Sequence, residues 1–295
     1  MRRRTSTDSL ESRVHEEYLR HNKKFPNVWC AGCGTGIVLG AIIRAVDQLG
    51  LDKNQVAMIS GIGCSGRMPV YVDFNTMHTT HGRALAFATG LKMVRPWMKI
   101  LVVMGDGDAL AIGGNHFIHA ARRNIGLAAI IINNQTYGMT GGQYSPTTPT
   151  EALAATAPYG HIEQPFPITD LAKAAGAAYV ARSTIYHVRE LQRFLVQAIS
   201  KDGFSVVEAV SYCHTTFGRL NKLGRATDMM RYLQEHALTL AQAERLSEEE
   251  RRNKIVRGVL VDRDIPEYTR LYDHVIARAQ AQSGQEACDE VQETR

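Results

Sequence analysis

The chain has 295 residues, of which 44% are hydrophobic and 21% charged, with 34 Lys and Arg against 29 Asp and Glu for a net charge of +5. That is an ordinary globular balance with room for a sizeable core. No apolar stretch reaches the length of a membrane span, Met1-Arg2-Arg3-Arg4 leads into Thr, Ser and Asp instead of an apolar run, and the basic residues are scattered among acids without a nucleic-acid module. The expectation is a cytoplasmic protein that binds neither membrane nor nucleic acid, with part of its basic surface open to an acidic protein partner. Five cysteines in such a chain are read as reduced, and as ligands or core residues before disulfides.

Residues 1–27 are polar and charged, with a short helix predicted around Leu10 to Arg20, and form an N-terminal arm. Then comes Trp29-Cys30-Ala31-Gly32-Cys33-Gly34, opening a predicted helix from Ile37 to Leu49 that Gly50 ends. A Cys-x-x-Cys pair there suits a redox dithiol, half a zinc site or half an iron-sulfur site. A strand from Gln55 to Ser60 runs into Gly61-Ile62-Gly63-Cys64-Ser65-Gly66-Arg67. These glycines satisfy Gly-x-Gly-x-x-Gly, but Pro69 follows where a helix should begin and no Asp or Glu lies between Phe74 and Met104 to hold a ribose, so a dinucleotide site is set aside. Cys64 is read as a third soft ligand.

His81-Gly82-Arg83 precedes a small-residue helix from Ala84 to Leu91. Next, Ile100–Met104 and Ala128–Ile132 are short apolar runs that stop at turn residues, as buried parallel strands do, with about 20 helix-compatible residues between them. One right-handed crossover brings Gly105-Asp106-Gly107 and Asn133-Asn134 to the same sheet edge. Asp106 offers a carboxylate oxygen, Asn134 an amide oxygen and Thr136 a backbone carbonyl, a set that magnesium accepts when phosphate and water complete it. Gly105, Gly107, Gly113 and Gly114 let backbone approach a ligand, and a helix N-terminus after Gly107 favours anions. A diphosphate held through magnesium fits.

Residues 144–167 read as a long ordered loop of the lid or interface kind. A helix from Asp170 to Ala175, a strand from Ala178 to Ala181, a helix from Val188 to Ser200 and a strand from Phe204 to Val210 continue the alternation to Cys213, which is the fourth candidate thiol at that edge. Zinc and an iron-sulfur cluster are both compatible with four such thiols. Residues 228–253 are predicted helical and charged, Val259 to Ile276 a terminal extension, and residues from 280 onward disordered, with Cys288 an incidental thiol.

Gly105-Asp106-Gly107 followed by Asn133-Asn134 resembles the magnesium and thiamine diphosphate motif of thiamine enzymes, and Tyr137-Gly138-Met139-Thr140-Gly141-Gly142-Gln143 narrows the resemblance to β subunits of 2-oxoacid:ferredoxin oxidoreductases. The three cysteine segments match that family in order, the last as Cys213-x-x-x-Phe217-Gly218-x-x-Asn221-Lys222, so the resemblance spans roughly residues 25–275. It implies an α/β fold, a doubly wound and mostly parallel sheet of the diphosphate-binding type over 28–225, followed by a helical extension over 226–279. It implies magnesium on Asp106, Asn134 and the Thr136 carbonyl, and a [4Fe-4S] cluster on Cys30, Cys33, Cys64 and Cys213. Gly63, Cys64, Ser65, His81, Gly82, Gly105, Gly107, Asp108, Tyr137, Gly138, Met139 and Thr140 then line the thiamine diphosphate, with His81 near the thiamine and substrate. Arg67 stands where relatives often carry Lys and is matched to a substrate carboxylate, whereas Gly141 replaces a second basic residue of some relatives.

The implied reaction is reversible oxidative decarboxylation of 2-oxoglutarate with CoA, yielding succinyl-CoA and CO2 and passing electrons to ferredoxin; 2-oxoisovalerate and pyruvate are the alternative acids. An α subunit must supply the pyrimidine-binding domain and activating glutamate, in a heterodimer or a dimer of heterodimers. Two other readings are a zinc-stabilised, non-catalytic assembly subunit and a thiamine decarboxylase or synthase without a cluster.

Overall fold

The computed structural model describes residues 10–22 and 26–293, with side chains described over 13–22 and 26–282. Helices α1 (Leu10–Tyr18) and α2 (Thr35–Gln48) precede strand β1 (Val56–Ser60). Then follow β2 (Asn75–His78), α3 (Ala84–Val94), β3 (Lys99–Gly105), α4 (Gly114–Arg122), β4 (Ala128–Asn133), α5 (Ile168–Ala174), β5 (Tyr179–Thr184), α6 (Val188–Ser200) and β6 (Ser205–Val210). The chain continues through α7 (Ala226–His236), β7 (Ala237–Thr239), α8 (Leu240–Ala243), α9 (Glu248–Arg251), β8 (Ile255–Asp262) and α10 (Tyr268–Glu293).

The strands form one sheet in the order β2-β1-β3-β4-β6-β5-β8-β7. All neighbours are parallel except β5 and β8. The central strands β1, β4 and β6 are buried at every position, which is why their sequences are mainly apolar with no alternating polar face, Glu208 in β6 being the charged exception. Their side chains nevertheless divide by the two-residue period of the pleat. Leu101, Val103, Ile130 and Val207 face α1, α2, α6 and α7, whereas Ile100, Val102, Met104, Ile131 and Val206 face α3, α4 and α5. Helices on both faces make the sheet doubly wound, and each fully buried Leu, Ile or Val contributes about 1.5–3 kcal/mol.

The strand order fixes where a ligand fits. From β1 the chain moves outward to β2, and from β3 it moves the other way to β4, so the loops leaving β1 and β3 diverge and open a crevice at the carboxyl ends of the strands. The loops after β4 and β6 border the same edge.

Several elements differ from the sequence reading. The Gly61–Gly66 loop does enter a helix, but a 3-10 turn over Ser65–Val70 that accommodates Pro69. After Gly107 the backbone first takes a π turn over Asp108–Ile112 and starts α4 only at Gly114, so no continuous helix begins behind Gly105-Asp106-Gly107. Strand β2 has no counterpart among the predicted elements; it is a mostly exposed edge strand, pinned by the Asn75 side-chain amide, which donates to the carbonyls of Lys53, Asn54 and Val56. The expected helical segment 228–253 is interrupted by β7. The extension is not only helical: β8 joins the main sheet antiparallel to β5, with a register shift opposite Val180 and Ala181. Helix α10 runs on to Glu293, through residues expected to be disordered, because that segment is free of Pro and rich in the helix formers Ala, Gln and Glu. The Cys288 side chain lies outside the described side chains.

The arm lies against the domain. Val14, Tyr18 and Leu19 are buried, and Arg20 donates to the carbonyl of Val72 and the hydroxyl of Thr76. Among the described residues no helix is long and apolar enough to cross a membrane.

Candidate functional site

Two buried carboxylates stand in the crevice, both carried on the turn that leaves β3. Asp106 is 2% exposed, and its Oδ2 accepts from the hydroxyls of Ser145 at 2.5 Å and Thr147 at 2.6 Å. Burial pushes its carboxyl above the ordinary range, and those hydroxyls together with the backbone amides of Asp106 and Asn134 oppose the shift. The next residue but one, Asp108, is equally buried; its Oδ1 pairs with the His81 ring at Nδ1 and accepts from the Gly82 amide at 2.7 Å. His81 therefore has both a structural partner and a place in the crevice, with its ring edge-on to Tyr137 at 6.0 Å.

Three features point to a ligand. Asn134 Oδ1 and Asp108 Oδ2 are buried and have no hydrogen-bond partner, a costly condition that a bound group would relieve. Asn134 Oδ1 follows directly from β4, next to the Asp106 carboxylate that its own amide reaches. The backbone is bared where these atoms meet: a Cβ on Gly61 would lie 1.9 Å from Asp108 Oδ2, and one on Gly107 2.3 Å from the Tyr137 ring. Asp106, Asn134 Oδ1 and the Thr136 carbonyl form a hard oxygen set that suits magnesium, and the glycine-lined turn beside them suits a diphosphate. Burial, followed by the charges of Asp106 and Asp108, pushes the Tyr137 hydroxyl up to about 12, so it stays a neutral donor.

The conformation of Gly107 is helical, so its substitution is penalised by contact alone. Gly107→Ala should displace the Tyr137 ring and weaken thiamine diphosphate binding, because a Cβ there would lie 2.3 Å from that ring. Titration of the cofactor-free complex measures this, and an unchanged affinity would refute the close approach.

The four thiols meet at the neighbouring part of the edge. The Cys33 amide donates to the Cys30 carbonyl at 2.9 Å in the turn opening α2, and the Trp29 indole donates to the Cys64 carbonyl at 2.8 Å, tying this turn to the loop after β1. The Thr215 hydroxyl lies 3.9 Å from Cys30 Sγ and 3.5 Å from Cys213 Sγ. A methyl on Gly138 would sit 3.1 Å from Cys213 Sγ and 4.0 Å from Cys64 Sγ. All four cysteines are free. Burial, then mutual repulsion with Cys33, Cys213 and Cys30, pushes the Cys64 thiol up to about 11. Burial also raises Cys213, but donors from Thr216, Thr215 and Phe217 outweigh it and bring this thiol below its ordinary value. Among the described residues no three His, Cys, Asp or Glu side chains converge tightly enough for a single ion.

The structure gathers His81, Gly82, Asp106, Gly107, Asp108, Asn134 and Tyr137 around the crevice, with Gly63, Cys64 and Ser65 on the loop after β1. Gly138, Met139 and Thr140 follow on the turn after β4, where Gly138 faces the thiols and Met139 and Thr140 are exposed. Arg67 is exposed on the 3-10 turn, and no ion pair or hydrogen bond joins its guanidinium to the other site residues. Sequence reasoning missed Ser145 and Thr147, whose only signal is a hydroxyl-rich Ser-Pro-Thr-Thr-Pro run in a loop that must be ordered. That loop is held by Asn221, whose side-chain amide exchanges paired bonds with the Leu153 backbone at 2.7 and 2.9 Å.

The family described as thiamine pyrophosphate enzyme, C-terminal TPP binding domain, matches residues 55–209. The chain is similar to the 2-oxoglutarate synthase subunit KorB of Methanothermobacter marburgensis, with 46% identity over 276 residues that cover 94% of this chain and 95% of that protein. It is similar to the 2-oxoglutarate synthase subunit KorB of Archaeoglobus fulgidus, with 53% identity over 222 residues, 75% of this chain and 80% of that one. Among solved structures, a 2-oxoglutarate:ferredoxin oxidoreductase from Magnetococcus marinus with 2-oxoglutarate, coenzyme A and succinyl-CoA bound superposes with a TM-score of 0.80 at 34% identity, over 90% of each chain.

Proposed function

The chain belongs to the thiamine pyrophosphate enzymes, and within them to the KorB subunits of 2-oxoglutarate synthase, and from that premise we propose which of its residues perform the reaction. The reaction is oxidative decarboxylation of 2-oxoglutarate with CoA to succinyl-CoA and CO2, with ferredoxin as electron acceptor. Bound thiamine diphosphate supplies electron-sink chemistry at the keto carbon, and an iron-sulfur cluster supplies one-electron transfer.

The observation that carries the site assignment is the buried, unpartnered amide oxygen of Asn134 beside the buried carboxylate of Asp106. Asp106, Asn134 and the Thr136 carbonyl hold magnesium, and Gly107 leaves room for the diphosphate. Ser145 and Thr147 donate to the Asp106 carboxylate, oppose the effect of its burial and aim it. Asp108 holds the His81 ring, which orients against the substrate. Arg67, free to pair bidentately, takes the distal carboxylate of 2-oxoglutarate. Cys30, Cys33, Cys64 and Cys213 hold a [4Fe-4S] cluster, and the donors on Cys213 favour the thiolate form that ligates it. The subunit names of the relatives imply an α partner, and the activating glutamate and part of the CoA contact come from it.

Anaerobic viologen reduction by the chain co-purified with its α subunit, given CoA and 2-oxoglutarate, 2-oxoisovalerate or pyruvate in turn, should show selective turnover of 2-oxoglutarate. Preference for another acid overturns the substrate and the role of Arg67. No turnover from a metal-replete complex overturns the catalytic reading.

A further inference from the structure

Behind the metal site runs a chain of buried polar groups that the reaction does not itself require. Glu208, in the middle of β6, is 2% exposed. It is the cross-strand partner of Arg182 on β5, whose Nε donates to Glu208 Oε2 at 2.6 Å and whose Nη2 donates to the Thr169 hydroxyl at 2.9 Å. On its other side, Glu208 Oε1 accepts from Asn133 Nδ2 at 2.8 Å. Asn133 Oδ1 in turn accepts from the Gln135 amide at 3.2 Å, and it lies 2.9 Å from the Thr147 hydroxyl, whose one hydrogen it shares with Asp106 Oδ2.

The donor and acceptor inventory makes this arrangement directional. A carboxylate only accepts, so Glu208 forces the NH2 of Asn133 towards itself and the amide oxygen towards Gln135. That oxygen closes an Asx turn over Asn133, Asn134 and Gln135, in which Gln135 takes the left-handed conformation at φ 58°. The turn sets the direction in which Asn134 Oδ1 and the Thr136 carbonyl are presented. We propose that Glu208, held by Arg182, is a positioning residue: by fixing the orientation of the Asn133 amide it aims the Asn134 and Thr136 oxygens at the ion shared with Asp106. This rests on the assignment of Asp106, Asn134 and Thr136 as the magnesium ligands.

The direction of the effect follows from the same inventory. In Glu208→Gln, Arg182, which can only donate, takes the single amide oxygen and leaves the new NH2 facing Asn133. Asn133 must then reverse, setting its own NH2 against the Gln135 N–H, two donors face to face. The charge is lost but the volume is not. Asn133→Asp alone places a second carboxylate against Glu208. The double variant restores an acceptor opposite the new NH2 and an acceptor towards the Gln135 amide.

The test is Mg2+ and thiamine diphosphate affinity of the complex with its α subunit, by calorimetry, alongside thermal melting of the cofactor-free form. Glu208→Gln and Asn133→Asp should each weaken cofactor and Mg2+ binding by about 10–100-fold, the range for partners that orient a metal's ligands, and the double variant should recover most of the loss. A role confined to stability would lower melting and leave these affinities unchanged in the folded complex, and that result overturns the proposal. If Glu208→Gln does not fold, the double variant decides, since an affinity as poor as that of Asn133→Asp overturns it and recovery supports it. A wild-type complex that fails to bind thiamine diphosphate with Mg2+ would instead refute the ligand assignment beneath it.

Discussion

Replacing Asp106 by Asn should lower the Mg2+-dependent affinity for thiamine diphosphate at least about 100-fold, with turnover falling in step, because ligands themselves cost more than the 10–100-fold typical of their supporting partners. The same substitution should leave the melting temperature of the cofactor-free complex unchanged or higher. Asp106 is the one anionic member of the oxygen set, and the amide of Asn keeps the shape while removing the charge. Burial raises the folded pKa of Asp106 above its ordinary value. A carboxyl whose pKa is raised on folding opposes folding once the pH exceeds its unfolded-state pKa, so at neutral pH a neutral amide removes that opposition. The hydroxyls of Ser145 and Thr147 rotate to meet either an oxygen or an NH2. Stability and function therefore separate at this position, as they do where a buried charge is kept for a ligand. Calorimetry of the cofactor-free and cofactor-loaded complexes reads both halves. Wild-type cofactor affinity in the variant would remove Asp106 from the metal site, and a large loss of melting temperature would mean that the carboxylate is structural.

The second large effect is expected at the thiols. Cys213→Ser should bring iron and acid-labile sulfide from about four per chain towards zero and reduce viologen turnover by two orders of magnitude or more, as loss of a whole electron-transfer centre requires. Cys213 is the informative choice because hydroxyls and amides of Thr215, Thr216 and Phe217 already converge on its sulfur, which favours the thiolate form that a metal binds. Cys64 shares the Gly138 cleft with it, and its substitution should act alike. Cys288→Ser should change neither metal content nor rate. Elemental analysis of anaerobically purified protein discriminates directly: about one zinc per chain, lost on Cys213→Ser, would replace the cluster with a structural ion and return the chain to the assembly reading.

Much of this was legible without the fold. Buried parallel strands are apolar at every position, so Ile100–Met104 and Ala128–Ile132 announce themselves, and turn residues at their ends mark the edge where Asp106 and Asn134 meet. These are local rules of period and punctuation, and one right-handed crossover carries them into three dimensions. Edge strands obey no such rule. The exposed Asn-Thr-Met-His of β2 is a strand because β1 lies beside it, and β8 pairs with β5 across about 80 residues of chain, a partner that nothing in its own charged surroundings specifies.

The same boundary divides the site. The residue types that bind an ion or a thiolate cluster are few, and their spacing in Gly105-Asp106-Gly107, Asn133-Asn134 and the cysteine segments was enough to nominate them. The groups that hold them in position are common ones, such as Ser145, Thr147, Arg182 and Glu208. Their meaning comes from partners 26 to 75 residues away and from burial, which turns an ordinary hydrogen bond into a directional constraint. Sequence determined which chemistry this chain carries; tertiary structure decided how its oxygens are aimed, because direction is set by donors and acceptors that only folding brings together.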